Sequence, residues 1–358
     1  MGLTTELRDY RLALASPLVT AHGVHEYRDG VLFAISDGVH VGWGEAAPLP
    51  GWSRESCDDC RRVLESVAPR LSECDSVDDP RLTEILAELE THPHARAAIA
   101  GASLDLAAQS DGVSLGSLLN GRFGSVPREA LPHSVSVNGL ISDLQPERVA
   151  AAAAELASEG ISAVKLKVAA TDSNTDVARV AATRSAIGDD IELRLDANGG
   201  WDIETAVDTL RRMADYDITF CEEPTAGIDG IAVVGAAGVV PVAVDESAVT
   251  VGDIAAALKT DAIRVVIVKP QALGGSDLAM AALAMAEETG AGAVVTSMID
   301  SAVGVAHAAH FAAAVLPEVA HGLATSTLLA EDTAPRLNLE GGRLHLPQSP
   351  GLGVSPVF

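Results

Sequence analysis

Lysine is almost missing from this sequence. Among 358 residues only Lys165, Lys167, Lys259 and Lys269 occur, against twenty arginines and 50 acidic residues, for a formal net charge of −26. So large a deficit of positive charge argues against nucleic acid and against anionic membrane surfaces as partners, since both would repel the chain. There is no apolar run of 18 or more residues without polar interruption, so a membrane-spanning helix is not expected. The opening stretch from Met1 to Tyr10 carries Glu6, Arg8 and Asp9 where a signal peptide needs an apolar core. A soluble cytoplasmic protein is therefore the expectation. Cysteine is sparse too. Cys57 and Cys60 form a C-x-x-C, but Cys74 and Cys221 stand alone, so the second half of a zinc site is missing and the thiols read as incidental.

What remains is enough to fold. Apolar residues make up 48% of the chain, which supplies a sizeable core and excludes disorder as the main state. A surface this acidic and this poor in lysine suits a salt-rich cytoplasm, where hydrated carboxylates keep a protein soluble and salt screens their repulsion.

The first third and the rest differ in texture. Residues 3–45 hold strand-like runs, Val31 to Ile35 and Val39 to Trp43, with Asp-Gly pairs at 29–30 and 37–38 that predict turns in an antiparallel meander. Residues 54–110 read as helical, with Ser53 as an N-cap and Ala95 to Gln109 rich in small helix formers. The Gly- and Pro-containing stretch 111–132 reads as a linker. From about residue 133, short apolar strands alternate with Ala-rich helical segments. The strand candidates are 134–138, 162–168, 191–196, 217–221, 241–245, 263–268, 293–297 and 319–323. Spacings of about 25 residues fit βα units, and about eight of them predict a closed parallel barrel. The expected organisation is an α+β capping domain over 1–120, a (β/α) barrel over 133–330, and a tail, 331–358, that returns to the first domain.

Charge sits at the ends of these strands. The sequence gives Val-Lys-Leu-Lys at 164–167, Leu-Arg-Leu-Asp at 193–196, Cys-Glu-Glu-Pro at 221–224, Val-Asp-Glu-Ser at 244–247 and Val-Lys-Pro at 268–270. In a parallel barrel the C-terminal strand ends share one mouth, which is where such barrels place active sites. Lys165 and Lys167 are two apart and so point to one face of their strand. Any one of these residues could be a helix cap or a solvated side chain. Three of the four lysines and three acids on five consecutive strand ends are better explained as a site. Three converging carboxylates make a hard, oxygen-rich donor set suited to Mg²⁺ rather than Zn²⁺. With lysines on strands flanking the acids, the chemistry that fits is proton removal next to a substrate carboxylate. A divalent ion would neutralise the enediolate oxygens, and a lysine with a cationic neighbour would act as base. His307 and His310, at i and i+3 on an Ala-rich stretch, read as a helix face. His92 and His94 read as loop residues without a role. Gly274-Gly275 could hold a phosphate or turn the chain.

Together these motifs resemble the enolase superfamily, in particular its muconate-lactonizing subgroup, across nearly the whole chain. Within it the similarity is greatest to the o-succinylbenzoate synthases of menaquinone biosynthesis. The stretches that carry it are Tyr27 to Leu32, Gly42 to Gly51, Thr296 to Gly304 and His321 to Thr325. The resemblance implies a modified TIM barrel, of α/β class, under an α+β cap. It implies that Asp196, Glu222 and Asp245 bind Mg²⁺, with Mn²⁺ as a substitute. Lys167 would take the α-proton and return a proton to the departing hydroxide. Lys269 would stabilise the enediolate from the opposite side, and Lys165 would hold Lys167 neutral and contact the carboxylate. Cap loops near 16–25 and 48–53 would shape the pocket for a succinyl tail. The expected activity is a carbon–oxygen lyase acting on a small-molecule carboxylate. The same five strand ends would serve an isomerase instead: an N-acylamino-acid racemase, a dipeptide epimerase or a muconate cycloisomerase. Homo-oligomerisation is compatible with the sequence.

Overall fold

The computed structural model describes residues 2–20, 23–124 and 131–357. The chain opens with an antiparallel meander, β1 (Thr4–Thr20), β2 (Gly23–Ser36) and β3 (Val41–Ala46), in the order β1-β2-β3. The run Val31 to Ile35 is buried throughout. Asp37-Gly38 makes the expected turn, with Gly38 at φ +90. Asp29-Gly30 does not. It lies inside β2, paired with Arg11 and Tyr10, and a side chain at Gly30 would collide with the Tyr10 ring. This glycine serves packing rather than a turn.

Three helices cover the meander: α1 (Cys57–Leu71), α2 (Pro80–Glu88) and α3 (Pro93–Ser110). The N-cap of α1 is Ser56, in a capping box with Asp59, and not Ser53. Ser53 Oγ instead accepts from Leu49 N and contacts His94 Nε2, tying the 48–53 loop to α3. His92 and His94 thus belong to a helix start, not a loop. All four cysteines are free thiols, and burial pushes Cys57 up to about 11, so the C-x-x-C is an unreactive part of α1. β3 lies directly on α3. A Cβ at Gly44 would come within 1.9 Å of Ala98 O, and one at Gly42 within 2.1 Å of Ala102 O.

The segment expected as a linker over 111–132 contains a helix, α4 (Leu115–Phe123), capped by Ser114. Its buried Leu115 and Leu119 join the main core, so apolar burial outweighs the glycines around it; residues 125–130 of that segment lie outside the described residues. β4 (Ser134–Ser136) is not the first barrel strand. It pairs with β13 (Arg343–His345), itself paired with β12 (Leu339–Glu340).

The barrel proper begins at β5 (Asn138–Ile141) and continues as α5 (Pro146–Ser158), β6 (Ala163–Lys167), α6 (Ser173–Ile187), β7 (Glu192–Asp196), α7 (Ile203–Met213), β8 (Ile218–Glu222), α8 (Ile228–Ala236), β9 (Val242–Val244), α9 (Val251–Leu258), β10 (Ile263–Val268), α10 (Pro270–Leu273), α11 (Ser276–Thr289), β11 (Gly292–Val295) and α12 (Ala302–Val315). The strands form one parallel sheet in the order β5 to β11. The expected eighth strand is reduced to two residues, His321 and Gly322, which bridge Val137 on one edge and Thr296 on the other. Val164 and Leu166 pack outward into the main core under the helices. Phe220, Ala243, Ile267 and Val294 fill the interior. These lie one pleat below the charged strand ends, so the barrel is solid beneath its mouth.

The tail contacts both parts of the fold. Leu115 N donates to Gly351 O and Leu352 N to Asp105 Oδ1 on the cap side, and Ala302 N of the barrel donates to Asp332 Oδ1 2.7 Å away. Cap and barrel are also riveted through polar groups. Buried Arg28 donates to Ala47 O, Pro48 O and Ile299 O. Glu45 accepts from Ser301 N, Ser301 Oγ and Gly304 N at 2.6–2.9 Å. A carboxylate from β3 thereby satisfies the free N–H groups that open α12. No helix among the described residues is long and apolar enough to cross a membrane.

Candidate active site at the barrel mouth

Register builds the site. Lys167 pairs with Asp196 across β6 and β7, and Asp196 with Glu222 across β7 and β8. Three charged side chains therefore stand in one row on the inner face. Asp245 follows directly after β9 and Lys269 directly after β10. Asp196 and Glu222 are each 1% exposed and Asp245 8%. Buried carboxylates need cations or donors, and the lysines answer. Lys165 Nζ lies 2.9 Å from Asp196 Oδ2 and 3.0 Å from Glu222 Oε1. Lys167 Nζ lies 2.7 Å from Asp196 Oδ2, and Lys269 pairs with Asp245.

The structure brings the six expected residues together, with one difference in detail. Among the described residues, the carboxylate oxygens that all approach within 4.8 Å of one another belong to Glu222, Asp245 and Glu246. Asp196 stands outside that trio, because its carboxylate faces the two ammonium groups of β6; Lys165 links it to Glu222. Burial alone would raise the Asp196 carboxyl, but Lys165 and Lys167 hold it far below the usual carboxylate range. Glu222 goes the other way. Burial and the nearby Asp196 and Asp245 push its carboxyl well up, and Lys165 and Lys269 offset this only in part. Burial would lower the Lys165 ammonium, but Asp196, Glu222 and Asp245 outweigh it and raise the net value. Three carboxylates, of Glu222, Asp245 and Glu246, thus crowd together beside Asp196. Hard oxygen donors on three adjacent strand ends fit a divalent cation such as Mg²⁺.

Three residues that motif reading left without a role complete the arrangement. Glu223, at φ +43, accepts from Asp245 N, Ser247 N and Ser247 Oγ at 2.7–2.8 Å, pinning the end of β8 to the loop after β9. Burial and Glu246 push its carboxyl up to about 7. Asn198, at φ +45, accepts from Lys167 Nζ at 2.6 Å through Oδ1 and donates through Nδ2 to Glu246 Oε1 at 2.6 Å. Their adjacency to the assigned acids, in Glu-Glu-Pro, Asp-Ala-Asn and Asp-Glu-Ser, was the available signal.

The cap closes one side. Trp52, on the expected 48–53 loop, places its ring 4.7 Å from Lys269 Nζ. The other expected cap segment, 16–25, forms the ends of β1 and β2, with residues 21 and 22 outside the described residues. His307 Nε2 bonds Trp43 O at 2.7 Å and His310 Nδ1 accepts from Gly116 N at 3.2 Å, so both serve packing around α12. Gly274 and Gly275, at φ +106 and +133, turn the chain between α10 and α11, and Arg96 donates to Gly274 O.

Comparison with known proteins agrees with the fold. Residues 148–357 match the family described as enolase C-terminal domain-like, and residues 3–82 match the MenC N-terminal domain. The chain is 39% identical over 214 residues to an o-succinylbenzoate synthase of Thermobifida fusca, covering 58% of this chain and 65% of that one. It is 30% identical over 360 residues to an N-succinylamino acid racemase of an Amycolatopsis species, covering 98% and 94%. A dipeptide epimerase from Enterococcus faecalis V583, solved with Mg and the dipeptide L-Leu-L-Tyr, superposes with a TM-score of 0.88 at 26% identity, covering 99% of this chain and all of that one.

Proposed function

The chain belongs to the enolase superfamily, and on that footing we propose that it is a Mg²⁺-dependent lyase of the o-succinylbenzoate synthase type. One observation carries the proton-transfer chemistry of this reading: Lys167 and Lys269 lie on β6 and directly after β10, two strands to either side of Glu222 in a single parallel sheet. A carboxylate substrate held over the acids has a lysine on each flank.

Asp196, Glu222 and Asp245 would hold the ion, which supplies positive charge to the substrate's carboxylate as its α-proton leaves. Lys167 takes that proton. It then gives a proton to the hydroxyl on the neighbouring ring carbon, so that water departs and the cyclohexadiene becomes aromatic. Lys269, on the opposite flank, remains an ammonium group facing the developing charge. Lys165 places a second cation beside Lys167 and balances Asp196 and Glu222. Trp52 and the 48–53 loop cover the Lys269 side, and the cap would enclose the succinyl tail.

The match to a MenC N-terminal domain and the 39% identity to a synthase support the lyase. A second reading, racemisation of an N-acylamino acid, is favoured by the near full-length similarity to an N-succinylamino acid racemase and by the same pair of lysines, one per face. Gly322 to Ser326 carries no acid, which counts against a dipeptide epimerase. The deciding experiment supplies the succinyl-hydroxycyclohexadiene carboxylate with Mg²⁺ and follows the ultraviolet change on aromatisation. Turnover that stops with a chelator supports the lyase. No turnover, with α-proton exchange of N-succinylamino acids in D₂O, moves the assignment to racemase.

A further inference from the structure

The Asn198–Glu246 pair belongs to no motif role assigned above, yet it connects three strand ends. Asn198 Oδ1 accepts from Lys167 Nζ and its Nδ2 donates to Glu246 Oε1, both at 2.6 Å. The amide can sit only this way round. Lysine has only donors and an ionised glutamate only acceptors, so the carbonyl must face Lys167 and the NH₂ must face Glu246. Asn198 N also donates to Asp196 Oδ1 at 3.1 Å, fixing the residue at its φ of +45.

The consequence falls on Lys167. Besides its bond to Cε, Lys167 Nζ has three tetrahedral positions. Asp196 Oδ2 at 2.7 Å and Asn198 Oδ1 at 2.6 Å accept from two of them. With two positions engaged, a single direction remains. We propose that Asn198 and Glu246 are positioning residues that aim Lys167 Nζ: Glu246 locks the Asn198 amide, and the amide with Asp196 turns the third position toward the substrate's α-proton. This rests on the reading of Lys167 as the base. It adds that the carboxylate of Glu246 acts through hydrogen bonding to Asn198 rather than through its charge.

The test compares E246L, E246Q, N198L and K167A with the wild type, using the succinyl-hydroxycyclohexadiene carboxylate and, in parallel, an N-succinylamino acid in D₂O. Misaiming a proton-transfer group by about 1 Å costs on the order of 10²-fold. E246L and N198L are therefore expected to lose about 10²-fold in kcat with little change in KM. E246Q, whose side-chain carbonyl can accept the same bond, should restore most of what E246L loses. An independent readout comes from the scarcity of lysine. Protein labelled with ¹³C at the lysine ε-carbon shows four lysine signals, and the Lys167 signal, assigned through K167A, should broaden or split in E246L and sharpen again in E246Q. If E246Q is as impaired as E246L, the residue acts by charge and the proposal is overturned. It is equally overturned if E246L turns over normally with an unchanged Lys167 signal. K167A retaining activity would instead remove the base assignment itself, which is a separate failure.

Discussion

Lys165 and Lys167 place their ammonium nitrogens on the same oxygen, Asp196 Oδ2, at 2.9 and 2.7 Å. Two cations one pleat apart on β6 thus share a buried carboxylate, and Lys165 reaches on to Glu222 as well. The first consequence concerns stability. Removing one partner of a buried ion pair leaves an uncompensated charge and typically costs about 3–5 kcal/mol. K165M should lose stability of that order in urea unfolding with chelator present. Because a divalent ion would then supply the missing charge, Mg²⁺ should raise the stability of K165M more than that of the wild type. Equal Mg²⁺ effects in the two proteins would contradict this.

A second prediction concerns pH. Burial depresses His310 to about 4. Below about pH 6.5 the unfolded chain therefore takes up a proton that the native chain refuses, and stability falls as pH drops toward 4. H310N removes this group. Between pH 6.5 and 4.5 the variant should lose roughly 2 kcal/mol less stability than the wild type. Parallel urea titrations at the two pH values measure it, and identical losses would show that His310 titrates normally.

A third prediction concerns the cap. The contact of β3 with α3 leaves no room at Gly44, where a methyl group would lie 1.9 Å from Ala98 O. Overpacking of this kind costs about 1–3 kcal/mol. G44A should show a lowered urea midpoint, and an unchanged midpoint would mean that the two elements separate easily.

A fourth prediction follows from the charge of −26. Salt screens repulsion among surface carboxylates, so the melting temperature should rise between low and molar KCl. A flat or falling trend would count against a salt-rich environment.

Much of this architecture is legible in the sequence, because the five consecutive strands β6 to β10 carry charge at their C-terminal ends and the spacing repeats. Asp196, Glu222 and Asp245 fall where alternation places them, and the lysines are conspicuous for being rare. What is not legible depends on contacts between distant segments. Gly30 reads as a turn until Tyr10 is seen to occupy its side-chain space. Leu115 to Phe123 reads as linker until its leucines meet the main core. Glu45 carries no motif that announces it as the cap of α12, 256 residues away from Ser301. Asn198 and Glu246 lie beside recognised acids, but their mutual bond spans β7 and β9 and appears only when the barrel closes.

The most direct test of the central claim is the rate of aromatisation of the succinyl-hydroxycyclohexadiene carboxylate, measured with saturating Mg²⁺ for the wild type and K167A. General-base catalysis by a positioned side chain is worth about 10²–10⁴-fold. The K167A rate should therefore fall by at least 10²-fold while its melting temperature stays near that of the wild type. Aromatisation by K167A within a few-fold of the wild-type rate would contradict the assignment of Lys167 as the base at this barrel mouth.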